Sequence, residues 1–164
     1  MRVLTVRQPM AWAIMHGKSP ENRGVVWSYT GPIAIHAGAK VDPAYMEHPA
    51  IAGLLEDLGF DPDPWAVFGA PEGRGIRLEL SAVLGVVQMI GAHEAEDDCC
   101  PGNPWADHTA HAHVALRNPR PFVEPIHDVP GRLGLWKPDD ELLHLIGDRL
   151  VATAVDRSNR RAGA

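Results

Sequence analysis

Several features that define other protein classes are scarce in this chain of 164 residues. It has only two cysteines, Cys99 and Cys100, and a disulfide between neighbouring residues is strained and rare. A reduced, cytoplasmic setting fits this pattern best. No apolar run reaches the roughly 18 residues of a membrane-spanning helix, and the first residues do not have the pattern of a signal peptide. We therefore expect a soluble cytoplasmic protein without a membrane partner.

Positively charged residues are also fewer than negatively charged ones. Lys and Arg number 15 against 21 Asp and Glu, which gives a formal net charge of −6. This balance argues against tight, sequence-independent capture of nucleic acid, because such capture depends on a general positive field. Any contact with nucleic acid must then be local, and the opening part of the chain offers a local group of cations: Arg7, Lys18, Arg23 and Lys40.

Turn-forming and apolar residues are plentiful. The chain has 16 Gly and 15 Pro, which favours many turns and short elements in a β-rich or mixed fold. Its hydrophobic fraction of 45% is sufficient for the core of one compact domain. No internal repeat is visible. We expect a single domain over residues 1–157 and a flexible, mildly basic tail over residues 158–164.

Local patterns predict an alternation of strands and helices. Strand patterns fall at residues 1–6, 33–36, 77–90, 111–116 and 121–126. Helical patterns fall at residues 9–17, 42–58 with an interruption at Pro49, and 138–155. Residues 60–75 show no hydrophobic period and are interpreted as an excursion or insertion between regular elements. Residues 91–108 form a loop longer than a connection requires, which is typical of a binding site.

The polar stretch after the first predicted helix holds the densest group of functional side chains. Lys18 and Glu21 are three apart, which places them on one side of a helical turn, and Glu21 and Arg23 share a side of an extended segment. A cation, a carboxylate that can accept a proton, and a guanidinium fork then converge. The alternative is that Glu21 and Arg23 form a structural ion pair that supports the loop.

Three separated segments, LTVRQPMAWAIMHGKSPENR, TGPIAIHA and HVALRNPRPFVEPIHDVPGRLGLW, together resemble the ASCH family, the activating-signal-cointegrator homology domains of the PUA-like superfamily. The resemblance implies an α+β fold, namely a PUA-like small β-barrel with flanking helices and a C-terminal helix. It also implies a cleft lined by the Gly-Lys-x-x-Glu-x-Arg stretch from Gly17 to Arg23. Its ligands are expected to be RNA or modified nucleosides.

The resemblance leaves the activity open. Some family members bind nucleic acid, while certain small ones resemble amidohydrolases for N4-acetylated cytidine or act as ribonucleases. In the amidohydrolases the motif lysine works with a threonine three residues on, where this chain has Glu21. If the chain is an enzyme, Lys18 is expected to activate water or stabilise an oxyanion, and Glu21 or Glu94 to carry the proton. A protein-interaction module with a vestigial cleft is a third alternative, which the acidic net charge favours.

We favour binding of single-stranded RNA, a nucleotide or a modified nucleoside. For Trp105 we weigh base stacking against packing as a lid, and for His36 we weigh ligand contact against a structural hydrogen bond. The predicted ligand-binding residues are Arg7, Gln8, Lys18, Ser19, Glu21, Arg23, His36 and Trp105.

The stretch CCPGNPWADHTAHAH contains side chains of the types that bind zinc. Paired CxxC ligands are missing, and adjacent cysteines seldom chelate one ion well. Neither a metal nor another cofactor is therefore assigned. The residues considered are Cys99, Cys100, Asp107, His108, His111 and His113.

Overall fold

A computed structural model describes residues 1–69 and 75–162. Within them, the chain forms a six-stranded sheet, four short helices and one long C-terminal helix, which confirms the α+β class. In chain order the elements are β1 (Arg2–Gln8), α1 (Met10–Met15), β2 (Glu21–Arg23), β3 (Gly31–Val41), α2 (Pro43–Met46), α3 (Pro49–Asp57), α4 (Pro64–Phe68), β4 (Ala82–Glu94), β5 (Ala112–Ile126), β6 (Leu135–Trp136) and α5 (Asp140–Ala162).

The sheet has the strand order β2-β5-β4-β3-β1-β6 and curls into a half-barrel. β1 runs parallel to β3, and the other neighbouring strands are antiparallel. The ladder between β4 and β5 shifts register at three places. Because β-bulges bend a strand and increase its twist, these shifts account for the curl at the centre of the sheet.

Apolar side chains fill both faces of the sheet. Successive residues of a strand point to opposite faces, so Val3 and Leu4 of β1 enter different clusters. Leu4 packs with the wholly buried helix α1, whereas Val3 packs with Ile146 of α5. The site described below lies at the end of α1, where the chain leaves the first of these clusters and enters β2.

Several predicted elements have different bounds in the structure. The interruption at Pro49 separates α2 from α3 as predicted. The strand predicted at residues 77–90 begins only at Ala82, after Ser81 adopts a positive φ of 48°. The two strands predicted around Asn118 form one continuous strand, β5, which passes through that residue. The excursion at residues 60–75 includes α4, and its residues 70–74 lie outside the described residues.

Helix α5 is longer than its pattern predicted. Its first turn carries Asp140 and Glu141, which complement the positive end of the helix dipole. The helix continues to Ala162, so residues 158–162 of the predicted tail are helical, and residues 163–164 lie outside the described part. Neither this helix nor any other in the described ranges is long and apolar enough to cross a membrane.

Candidate functional site

The Gly-Lys-x-x-Glu-x-Arg motif links α1 to the edge strand β2. Gly17 has a φ of 105°, a conformation that favours glycine, and it turns the chain away from α1. The amide of Lys18 then donates to the carbonyl of Ala13. Glu21 and Arg23 belong to β2, whereas the sequence patterns predicted no strand between residues 7 and 32.

One carboxylate lies between two cations at the base of the site. The Lys18 ammonium, whose side chain is 2% exposed, is 2.5 Å from Glu21 Oε2 and donates to the carbonyl of Pro20 at 2.9 Å. On the other side, Arg23 Nη2 lies 3.0 Å from Glu21 Oε1 and donates to the carbonyl of Thr5 at 2.9 Å. The structure thus brings the three motif residues together, and it also contains the ion pair between Glu21 and Arg23 considered as the alternative.

Arg23 connects two distant parts of the sheet. It lies on the edge strand β2, and Thr5 lies on β1, which is separated from β2 by three strands in the sheet order. The guanidinium therefore spans the open side of the half-barrel. Among the described residues, its buried Nε atom has no hydrogen-bond partner.

A polar cleft with two lobes lies over this array. The inner lobe has a volume of about 100 Å³ and the outer lobe about 280 Å³. Glu21, Asn22 and Tyr45 line both lobes and therefore lie between the two spaces. The inner lobe is also lined by Met10, Lys18, His48, Trp105 and Asp107. The outer lobe is also lined by Thr5, Val6, Arg7, Arg23, Arg132, Leu133 and Gly134.

Side-chain amides attach the long loop between β4 and β5 to the motif. Asn22 Nδ2 donates to the carbonyl of Trp105 at 2.9 Å, and Asn22 Oδ1 accepts from the amide of Asp107 at 3.1 Å. Asn103 Nδ2 donates to the carbonyl of Ser19 at 2.9 Å. These bonds hold the loop over the inner lobe.

The Trp105 ring covers the inner lobe. It stacks on His48 with a centroid distance of 5.7 Å and an angle of 9° between the ring planes. The Lys18 ammonium lies 5.8 Å from the Trp105 ring centroid, within the range of a cation–π interaction. Trp105 therefore packs as a lid, one of the two roles considered from the sequence.

His48 is neutral at pH 7. Burial is the main cause that lowers its pKa, and the nearby positive charge of Lys18 lowers it further. Its Nδ1 accepts from the amide of Ala50 at the start of α3, so this nitrogen carries no proton and Nε2 does. The side chain therefore has a fixed tautomer beside the cleft.

Two further residues that line the cleft have shifted pKa values. Burial and the charges of Glu21 and Asp42 raise the pKa of Tyr45, so its phenol stays protonated at neutral pH. Hydrogen bonds from Thr109 lower the pKa of Asp107, which stays a carboxylate. The lining consequently offers both fixed donors and fixed acceptors.

Two predicted ligand-binding residues are engaged in holding the backbone. Gln8 is 1% exposed, its Oε1 accepts from the amide of Trp12, and its Nε2 donates to the carbonyl of Glu79. Ser19 Oγ accepts from the amide of Leu116 at 3.0 Å. Neither residue lines the cleft, so both position other groups.

His36 also lies outside the cleft. It is 1% exposed and packs against Trp136, and its Nε2 donates to the carbonyl of Val129 at 2.8 Å. Its Nδ1 is buried and has no partner among the described residues. Burial lowers the pKa of His36. Of the two roles considered for His36, the structural hydrogen bond is the one present.

The remaining two candidates differ in position. Arg7 lines the outer lobe, is largely exposed, and pairs with Asp42 at 2.8 Å. Glu94 lies at the exposed end of β4 and lines neither lobe. A proton carrier would have to lie near Lys18. Glu94 does not, so of the two glutamates considered for this role only Glu21 lies at the site.

Four polar residues that line the inner lobe were not predicted to bind a ligand: Asn22, Tyr45, His48 and Asp107. Asn22 lies in the polar stretch from Gly17 to Arg23, so its position in the sequence could have indicated that it belongs to the site. Tyr45 lies in α2, His48 immediately precedes α3, and Asp107 lies in the long loop. Only the tertiary fold brings these three to the motif.

A separate cavity of about 320 Å³, larger than either lobe alone, lies between β5 and α5. Its charged side chains are Arg120, Arg157 and Arg161, all of them exposed. Exposed arginines interact only weakly with fixed partners because water screens them. The motif cleft, which contains buried charges in direct contact, is therefore the stronger candidate site.

No protein-family model matches the chain, and no curated protein matches it either.

Proposed function

We propose that this chain is an ASCH domain with a PUA-like fold, and that its cleft binds a nucleotide or a base of single-stranded RNA. The observation that carries the proposal is the buried Lys18–Glu21–Arg23 array in the polar cleft beneath Trp105. The half-barrel and the position of the motif at its open side agree with the resemblance in three segments of the sequence.

The array has hydrogen-bonding capacity left for a ligand. An ammonium has three protons, and Lys18 donates one to Pro20 and one to Glu21, which leaves a third. The Glu21 carboxylate retains lone pairs beyond those used by Lys18 and Arg23. A nucleobase edge carries adjacent donors and acceptors, and single-stranded RNA exposes such edges for recognition.

Charge and size both favour a base in the inner lobe. The inner lobe is lined by one cation, Lys18, and two carboxylates, Glu21 and Asp107, so it suits a neutral polar group better than a polyphosphate. Its volume of about 100 Å³ limits it to a small planar group. The outer lobe is close to the lower end of the roughly 300–1,000 Å³ of small-molecule sites. Arg7 at its rim can contact a sugar phosphate.

Titration calorimetry with the four nucleoside monophosphates and a short single-stranded RNA tests this function. We expect binding by the wild type, and RNA affinity that falls steeply between about 50 and 200 mM salt. Lys18→Met should weaken binding about 10-fold or more, because it removes a charged hydrogen bond to the ligand. The matched control is Lys40→Met, which removes an exposed lysine that lines neither lobe.

Two results would count against the function. Equal affinity of the wild type and Lys18→Met would place the ligand elsewhere. Absence of binding to every nucleotide and RNA would favour the protein-interaction module. Circular dichroism of each variant separates a loss of binding from a loss of fold.

A second candidate function is hydrolysis of an acylated nucleoside amide. It is favoured by the direct contact of an ammonium with a carboxylate inside one small lobe. Glu21 would take a proton from water as its oxygen attacks the carbonyl, and Lys18 would stabilise the oxyanion. The C–N bond then breaks, and the leaving nitrogen receives the proton to give an amine and a carboxylic acid.

Chromatography of N4-acetylcytidine, other acylated nucleosides and an RNA strand decides this second candidate. Product that forms with the wild type and not with Lys18→Met establishes hydrolysis at the cleft. Shortened RNA with the same dependence establishes a ribonuclease. Intact substrates in every reaction remove both activities and leave binding as the function.

A further inference from the structure

A second cluster of reactive side chains lies on the other side of the long loop. His93 is on β4, Cys99 and Cys100 are in the loop, and His113 is on β5. One nitrogen or sulfur atom from each residue lies within 4.8 Å of the others. None of the four lines the cleft.

The distances within this cluster resemble the edges of a tetrahedron. His113 Nδ1 lies 3.1 Å from Cys99 Sγ and 3.6 Å from Cys100 Sγ, and His93 Nε2 lies 3.8 Å from Cys100 Sγ. Zinc binds sulfur at about 2.3 Å and nitrogen at about 2.0–2.1 Å, which corresponds to an N···S edge of roughly 3.6 Å in a tetrahedral site. These three distances lie within about 0.5 Å of that edge, and all four ligand atoms lie within 4.8 Å of one another, so a zinc ion would fit between them after side-chain shifts of up to about 1 Å.

The hydrogen bond of His113 directs a lone pair into the cluster. Its Nε2 lies 3.1 Å from the carbonyl oxygen of Asp107, which can only accept, so Nε2 carries the proton. In the neutral ring Nδ1 then has a free lone pair, and it faces both sulfurs. A ring nitrogen bound to metal, with the other bonded to a backbone carbonyl, is the usual arrangement of a histidine ligand.

The backbone places the four ligands without help from the metal. His93 and His113 are paired across the β4–β5 ladder. The amide of Cys99 donates to the carbonyl of Glu96, and the carbonyl of Cys100 accepts from the amide of Asn103. Turns on both sides of the dipeptide therefore return it to the two histidines, which is why adjacent cysteines can both face one point here.

We propose that His93, Cys99, Cys100 and His113 bind one zinc ion. Two cysteines and two histidines form a closed tetrahedral set, which is typical of a structural site and not of a catalytic one. Each thiol releases its proton to solvent when its sulfur binds, so the two thiolates balance the charge of the ion. Soft sulfur combined with imidazole favours zinc over magnesium or calcium.

The metal fixes the loop that covers the cleft. The loop leaves the cluster at Cys100 and reaches Asn103 and Trp105, which bind the motif side, within five residues. Asp107 returns to His113 through its carbonyl. This role does not depend on which ligand occupies the cleft.

The test uses the full chain purified without a histidine tag under reducing conditions. Mass spectrometry of the metal content is expected to give about one zinc per chain. After removal of the metal with a chelator, titration with cobalt(II) is expected to give the intense visible and thiolate charge-transfer bands of a tetrahedral site. A wild-type protein that retains no zinc and develops no such bands would overturn the proposal, without any variant.

Variants then identify the ligands. Cys99→Ser combined with Cys100→Ser should weaken zinc binding at least about 10-fold, since even residues that only support ligands change metal affinity by about 10–100-fold. The control is His111→Ala, an exposed histidine close in sequence but outside the cluster, and it should bind zinc like the wild type. Unchanged affinity in the double variant would also overturn the proposal.

Discussion

Asn22 and His113 are paired across β2 and β5, and both hold the backbone of Asp107. Asn22 accepts from the amide of that residue at 3.1 Å, and His113 donates to its carbonyl at 3.1 Å. One peptide segment of the loop is thus fixed from two neighbouring strands. The candidate cleft lies on the Asn22 side and the proposed zinc site on the His113 side.

Asn22→Ala is expected to release the loop. The substitution removes one hydrogen bond to Trp105 and one to Asp107, each worth about 0.5–1.5 kcal/mol. Hydrogen exchange of the amides of the two loop residues should accelerate while exchange in β4 stays slow. Asn159→Ala, at an exposed position of α5, is the control. Unchanged exchange at Asp107 in the first variant would show that Asn22 does not hold the loop.

The two members of the buried ion pair should differ in their effect on stability. Glu21→Gln leaves Lys18 and Arg23 without their shared carboxylate, and we expect a loss of about 3–5 kcal/mol in the free energy of unfolding. Lys18→Met leaves Glu21 paired with Arg23, so a smaller loss of about 1–3 kcal/mol is expected. Denaturant titration measures both, and the opposite order would contradict the shared-carboxylate arrangement.

His36 should make the stability depend on pH. Its pKa is lowered by burial, so below its ordinary value of 6.5 the unfolded chain binds a proton that the folded chain does not. The free energy of unfolding therefore falls as pH decreases through this range, by at most about 1.4 kcal/mol per pH unit for one group. Urea titrations from neutral to mildly acidic pH should give a shallower dependence for His36→Gln than for the wild type.

His48 contributes in the same direction, because its pKa is also lowered. Some dependence should therefore remain in His36→Gln. His111→Gln removes an exposed histidine and serves as the control, with the wild-type dependence expected. Equal curves for the wild type and His36→Gln would show that the buried ring is protonated equally in both states.

Gly85 is expected to tolerate no side chain. A Cβ there would overlap the carbonyl oxygen of Arg120 and lie 2.8 Å from Pro121 Cα, and both are backbone atoms of β5 that cannot rotate away. Gly85→Ala should lower the free energy of unfolding by at least about 1–3 kcal/mol. Gly91→Ala, on the same strand with nothing within 4 Å, is the control and should change it far less in thermal unfolding. Similar losses would remove the steric explanation.

Local spacing was enough to predict part of the site. Lys18, Glu21 and Arg23 lie within six residues of one another, so their convergence depends mainly on the backbone of one short segment. Their predicted secondary structure was less accurate, because β2 forms only by pairing with β5. Pairing between segments so far apart in sequence is not encoded in local patterns.

The proposed zinc ligands also show what local sequence patterns could not predict. The sequence interpretation considered the cysteines and His113 but did not include His93, and it assigned no metal. His93 and His113 pair at the loop end of the β4–β5 ladder, in an unshifted run from Gly91–Ala115 to Glu94–Ala112. The sequence pattern ended the first of these strands at residue 90 and placed residues 91–108 in a loop, whereas β4 continues to Glu94, so His93 was not expected on a strand beside His113. Tyr45 and His48 were missed for a related reason, since α2 and α3 pack at the motif only in the folded chain.

The outer strands of the half-barrel are very short. β2 has three residues and β6 has two, whereas the four strands between them have 7 to 15. Unpaired backbone groups at a sheet edge can recruit the strand of another molecule, and short edges leave few of them. Beyond the three residues that β2 pairs, side chains cover part of the outer edge of β5: Ser19 Oγ accepts from the amide of Leu116 and Thr153 Oγ1 accepts from the amide of Val123, which leaves fewer backbone donors free to recruit another strand.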